Sequence, residues 1–95
     1  MTLIVLPVAN EEFEAAKEWY DLQSAGLGKR YRELVKQTLA AILRNPLRYQ
    51  SDSLGFHRAF VKVFPFKVYY KMDGDDIVVV AFAHNHRKPE YWLHR

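Results

Sequence analysis

A chain of 95 residues fits one domain with a modest core, because a chain this short buries only about 60–65% of the surface its unfolded form exposes. The composition is 49% hydrophobic and 15% aromatic, so rings must fill much of that core. Zero cysteines exclude a disulfide framework, a thiol nucleophile and any cysteine-based zinc or iron–sulfur site, and a net charge of +3 is a mild bias compatible with a polyanion or an acidic partner.

Thr2 to Leu6 is a short β-rich run and is expected to form a strand ended by Pro7. Its apolar stretch, Leu3-Ile4-Val5-Leu6, has no basic segment before it and is too short for a signal peptide or a membrane span. The expectation is a cytoplasmic protein with no membrane partner. Asn10 reads as an N-cap, with Glu11 and Glu12 in the first turn of a helix where acids favour the helix dipole. Phe13, Ala16, Trp19 and Tyr20 give that helix an apolar stripe to about Ser24, and Gly26 and Gly28 bracket a turn.

The second helix carries the clearest period. Leu27, Tyr31, Leu34, Val35, Thr38, Leu39 and Ile42 recur on one face, and Asn45-Pro46 stops the run. From Phe56 the period changes to two. One strand is expected over Phe56 to Phe64 and another over Phe66 to Met72, followed by a tight turn at Asp73-Gly74. Ile77 to Ala83 is apolar on both faces, as a central strand is. The expected fold is α+β, as a single domain over 1–95: an N-terminal strand, an antiparallel helical hairpin and a three-strand antiparallel meander.

Three constellations bear on chemistry. Lys67, Tyr69 and Lys71 alternate along one strand face, with Arg58 and Lys62 on the preceding strand, two residues either side of Phe60. Cations meet phosphates and rings stack on bases, so this face suits a nucleic acid; the same pattern also describes a solvated sheet face whose charges discourage edge pairing. His84 and His86 put two imidazoles on one side of an extended segment, with His94 further on. No carboxylate or cysteine stands at useful spacing, so no metal and no other cofactor is expected. His84, His86, Tyr91 and His94 are residue types that move protons near neutral pH or hold them for a leaving group. No phosphate-binding glycine loop, nucleophile elbow or dinucleotide fingerprint occurs.

Three runs together resemble the RelE/ParE superfamily of bacterial toxins, and most closely its ParE-like, plasmid-stabilisation branch. They are Val63-Phe64-Pro65-Phe66-Lys67-Val68-Tyr69-Tyr70, Ile77 to His84, and Arg87-Lys88-Pro89-Glu90-Tyr91-Trp92 with Arg95. Trp19-Tyr20, the Gly26-Leu27-Gly28 turn and the Asn45-Pro46 stop extend the resemblance over nearly the whole chain.

The resemblance implies the toxin of a type II toxin–antitoxin system, inhibiting growth until a cognate antitoxin wraps it in a hetero-oligomer. Trp19 is an expected antitoxin contact, while Tyr20 is expected in the core. The family divides by mechanism. ParE-like members act on DNA gyrase without known catalysis, and the closest likeness leans that way. RelE-like members cleave mRNA on the ribosome without a metal; on that alternative Arg87, Tyr91, Lys67 and His84 are the catalytic candidates. Lys67 stands where RelE-like nucleases often carry arginine, which loses the planar two-point grip on phosphate, and Asn85 replaces a further family arginine. The third alternative is a degenerate toxin that only binds antitoxin. Arg58, Lys62, Tyr69, Lys71, Trp19, Trp92 and Arg95 are the expected binding residues.

Overall fold

A strand, two helices and three further strands follow one another in the computed structural model, which describes residues 1–88 and 90–95. Pro89, part of the closing series of the resemblance, lies outside the described residues.

β1 spans Thr2–Val5 and α1 spans Pro7–Gln23. The helix therefore begins three residues before the expected cap at Asn10. Proline at the first helical position has a preset φ and lacks only an N–H that would be unsatisfied there. Asn10 N–H instead makes the first helical bond, 2.9 Å to the Leu6 carbonyl. Glu12 is thereby displaced from the first turn into the second.

Gly26, at φ 83°, turns the chain into α2, Leu27–Arg44. Asp21, in the last turn of α1, accepts the Gly28 N–H at 2.9 Å and so caps α2 in place of a local side chain. A Cβ at Gly28 would collide with that carboxylate, which accounts for the glycine. Every residue of the predicted α2 face is buried or packed against the core: Tyr31, Leu34, Val35, Thr38 and Ile42 are buried, and Leu27 and Leu39 lie against them.

β2 is shorter than expected. It covers His57–Phe60 rather than Phe56 to Phe64, and the chain then folds over before β3, Phe66–Asp73. Val63 sits at φ 72° at the tip of that turn, while Val61 and Phe64 both enter the core. Two inward residues three apart break the period of two. β4 covers Asp76–His84, joined to β3 by a two-residue loop with Gly74 at φ 59°.

The sheet order is β1-β4-β3-β2, with β1 parallel to β4 and the other pairs antiparallel. The meander is thus extended into a mixed sheet with β4 in the centre, as its two apolar faces require. The helices cover one face. There Tyr31 lies 5.5 Å from Phe13 and 5.3–5.4 Å from Tyr20, Phe64 and Phe66, ring centroid to ring centroid. Burying each such side chain contributes roughly 1.5–3 kcal/mol.

A bulge interrupts β3 and β4. Tyr69 pairs with Ala81 and Tyr70 with Val79, so Val80 has no partner opposite it. Val80 and Ala81 consequently both face away from the helices, and Val79 and Phe82 both face them. The second face is closed by the C-terminal segment, where Trp92 lies 2% exposed.

Candidate functional site

β1 ends at Val5, and Leu6 N–H makes the last bond to β4, 3.0 Å to the Val79 carbonyl. Beyond it no strand among the described residues covers the β4 edge on that side. Side chains take over there. Arg95 Nη1 donates to the Val80 carbonyl at 3.0 Å, and Phe82 N–H donates to Glu12 Oε1 at 3.3 Å. Arg95 and Glu12 also pair directly, Nη1 to Oε1 at 2.6 Å and Nη2 to Oε2 at 3.3 Å. Tyr91 completes the cluster by donating its hydroxyl to Glu12 Oε2 at 2.6 Å. A two-point guanidinium–carboxylate pair is among the stronger polar contacts a protein makes.

These contacts pin the C-terminal segment to α1 and place Trp92 on the far face of the sheet. Its ring stacks on Tyr69 with centroids 3.8 Å apart. Strand alternation predicts a water-facing Tyr69 between two lysines; it is instead 6% exposed, because Trp92 covers it. Trp92 and Arg95, read as contact residues, are likewise buried or half-buried in contacts within the chain.

The candidate residues divide between the two sheet faces. Phe66 pairs with His84 and Lys67 with Ala83, so by strand alternation Lys67 and His84 point to opposite faces. Lys67 lies on the Trp92 side, its Nζ 5.7 Å from the Tyr69 ring and 5.8 Å from Phe60. Arg58, paired with Tyr69 across the strands, is held by Gln50 Oε1 at 3.1 Å. Lys71 is half-buried opposite Val78, and Lys62 is exposed in the turn after β2.

His84, Arg87 and Tyr91 meet on the other side. They line a hollow of about 310 Å³ with Glu12, Phe66 and Phe82. A second hollow, about 450 Å³, shares Phe66 and His84 and runs on past Trp19, Tyr20 and Pro65. Together they form one apolar groove along α1, with His84 and Arg87 as its polar rim. Trp19 is 56% exposed on its wall and Tyr20 is buried beneath, as expected of each. Arg87 lies over the Tyr91 ring at 4.2 Å, and Arg95 lies 4.9 Å from it. His84 and His86 stack at 5.2 Å, and among the described residues no three His, Cys, Asp or Glu side chains gather to hold a metal.

Tyr91 is poorly placed to move protons. Burial first, and then the hydrogen bond to Glu12, push its hydroxyl well above the usual tyrosine range. Arg95 is held more firmly protonated, chiefly by its hydrogen bond to Glu12. Glu12 is the residue that sequence reasoning missed. Its position looks like ordinary helix capping, and its partners lie 70 to 83 residues away in the chain, so no local pattern reveals it.

Residues 3–89 match the family model described as the ParE toxin of the type II toxin–antitoxin system parDE. The chain belongs to the ParE toxin family. A solved structure described as a chromosomal ParDE toxin–antitoxin system from P. aeruginosa has the same fold, with a TM-score of 0.79 over 88% of this chain and 95% of that one, at 12% identity. No curated protein matches the sequence. The matched residues take in α1 and the β2–β3 face and end before Tyr91, Trp92 and Arg95. No helix among the described residues is long and apolar enough to cross a membrane.

Proposed function

We propose that this chain is the growth-inhibiting toxin of a type II toxin–antitoxin pair, that it acts on DNA gyrase by binding rather than by catalysis, and that a cognate antitoxin neutralises it by lying along the α1 groove. The observation that carries the non-catalytic reading is the Tyr91 hydroxyl handed to Glu12 at 2.6 Å. The groups a metal-free RNA cleavage needs are a base, an acid and a phosphate-binding cation in one place. Here Lys67 and Arg58 are on one face of the sheet, and His84 and Arg87 are on the other. The neutralisation reading rests on the exposed Trp19 ring and the apolar floor beside it, since a large uncovered aromatic patch with the Arg87 guanidinium at one end fits a partner's apolar and acidic side chains.

Pulse-labelling after induction, in cells without the antitoxin, tests the mechanism. DNA synthesis should fall before protein synthesis. If protein synthesis falls first, the ribosome-dependent endonuclease reading replaces this one.

A further inference from the structure

β2 is an edge strand, and its outer side is only partly covered. The segment before it bridges Ser51 to His57, and Arg58 N–H donates outward to the Gln50 carbonyl at 3.1 Å. A strand repeats every two residues, so the N–H and C=O of Phe60 face the same way as those of Arg58, past the point where the covering segment ends. The Phe60 ring is 62% exposed. Beside it runs a groove of about 310 Å³ against the flank of α2, with Leu34 and Ala41 in its floor and Gln37, Arg44 and Lys62 around it. Among the described residues no carboxylate lines it.

We propose that this edge is a second docking surface, separate from the α1 groove, which takes an acidic, extended peptide segment as an added strand. Main-chain bonds to Phe60 would set the register of such a segment. Alternate side chains would enter the groove, and acidic ones would meet Arg44 and Lys62. The charge decides the occupant. A second copy of this chain brings the same cations to the same groove, and like charges oppose that pairing. A nucleic acid answers the cations but has no strand of amide groups to offer the open edge. Lys62 beside a short edge strand is also how proteins prevent unwanted pairing, so the edge must be tested for acceptance as well as for charge.

The probe is a six-residue synthetic peptide alternating valine and glutamate, with a valine–lysine peptide and a six-nucleotide single strand as comparisons. Each is titrated into the isotopically labelled full chain while backbone amide resonances are followed. The acidic peptide should shift the Phe60 amide and slow its hydrogen exchange. It should bind roughly tenfold more tightly than the lysine peptide, as two exposed ion pairs allow. Arg44→Glu with Lys62→Glu, both at exposed positions, should abolish or reverse that preference. Absence of a shift at Phe60, equal binding of both peptides, or tighter binding of the oligonucleotide would each overturn the proposal. So would concentration-dependent change at Phe60 without peptide, which would mean a second copy. The experiment needs neither antitoxin nor growth assay, so its result is independent of the toxin reading.

Discussion

Tyr91 and Glu12 are 79 residues apart in the chain and 2.6 Å apart in the fold, joined by the tyrosine hydroxyl donating to the carboxylate. The bond ties the last residues to the second turn of α1. The residue that a nuclease reading would use for proton transfer is thereby part of a clasp that also holds Arg95 and the Phe82 amide.

Tyr91→Phe removes one hydroxyl from that clasp and leaves the ring under Arg87. A hydrogen bond to a charged group contributes about 1.5–3 kcal/mol, so urea unfolding should show a loss near the lower end of that range for this half-buried ring. Growth inhibition should survive. A fully folded Tyr91→Phe chain without toxicity would show that the hydroxyl does chemistry.

Glu12→Ala should be worse than Tyr91→Phe. It leaves the Tyr91 hydroxyl and the Phe82 amide without their acceptor and the Arg95 guanidinium with only the Val80 carbonyl, and both carboxylate and guanidinium are under one-fifth exposed. A loss of about 2–4 kcal/mol is expected, below the value for a fully buried pair because some water reaches this one. Glu12→Gln, which keeps an acceptor, should recover part of it. Equal unfolding midpoints for Gln and the parent would mean that the carboxylate charge contributes nothing.

Alkaline pH should unfold the protein through its tyrosines. Burial is the leading cause that raises Tyr20, Tyr31, Tyr70 and Tyr91, with Tyr70 pushed up to about 12. An unfolded tyrosine titrates near 10. The folded chain therefore holds protons that the unfolded chain releases, so this stability is fully present below about pH 10 and falls as pH rises toward 12 and beyond. Tyrosinate absorbance and circular dichroism should change together in that window. Tyrosinate appearing below pH 10 with the fold intact, in the number of these four rings, would contradict the burial.

The sequence announces contacts that are local and periodic. The α2 face, the central strand and the Asn45-Pro46 stop follow from spacing because their partners repeat within a few residues. What it hides are features set by distant partners. The bulge at Val80 exists because of register with β3, and Tyr69 is buried because Trp92 lies over it. Alternation alone put Tyr69 in water with Lys67 and Lys71. The same limit applies to the candidate site: His84, Arg87 and Tyr91 could be named from the C-terminal series, but not that Lys67 faces the other way. The helix start at Pro7 is hidden for a different reason. Proline serves equally as a strand stop and as a first helical residue, and only the Asn10 N–H bond to Leu6 distinguishes the two here.

Trp92→Ala tests the second face. The indole is 2% exposed and stacks on Tyr69, so truncation opens a cavity over Val78, Val80 and Ala81. Loss of a buried tryptophan costs about 3–5 kcal/mol, a large part of the stability of a domain this size. Trp92→Phe should recover much of it by keeping a ring over Tyr69. If Trp92→Ala melts like the parent protein, the C-terminal segment does not close the sheet in solution.

Trp19→Asp tests the groove, and it should leave stability almost untouched. The ring is 56% exposed, and a surface substitution of this kind changes stability by roughly 0.5 kcal/mol or less. On the neutralisation reading the same change removes an apolar contact and sets a carboxylate where a partner's acidic groups would lie beside His84 and Arg87. The variant should remain toxic yet need at least about tenfold more antitoxin for rescue, in line with the loss of a central aromatic contact. Trp19→Phe should be rescued almost normally. Equal rescue of the aspartate variant and the parent would move the antitoxin off this groove, while loss of toxicity in Trp19→Asp with full folding would assign the groove to the cellular target.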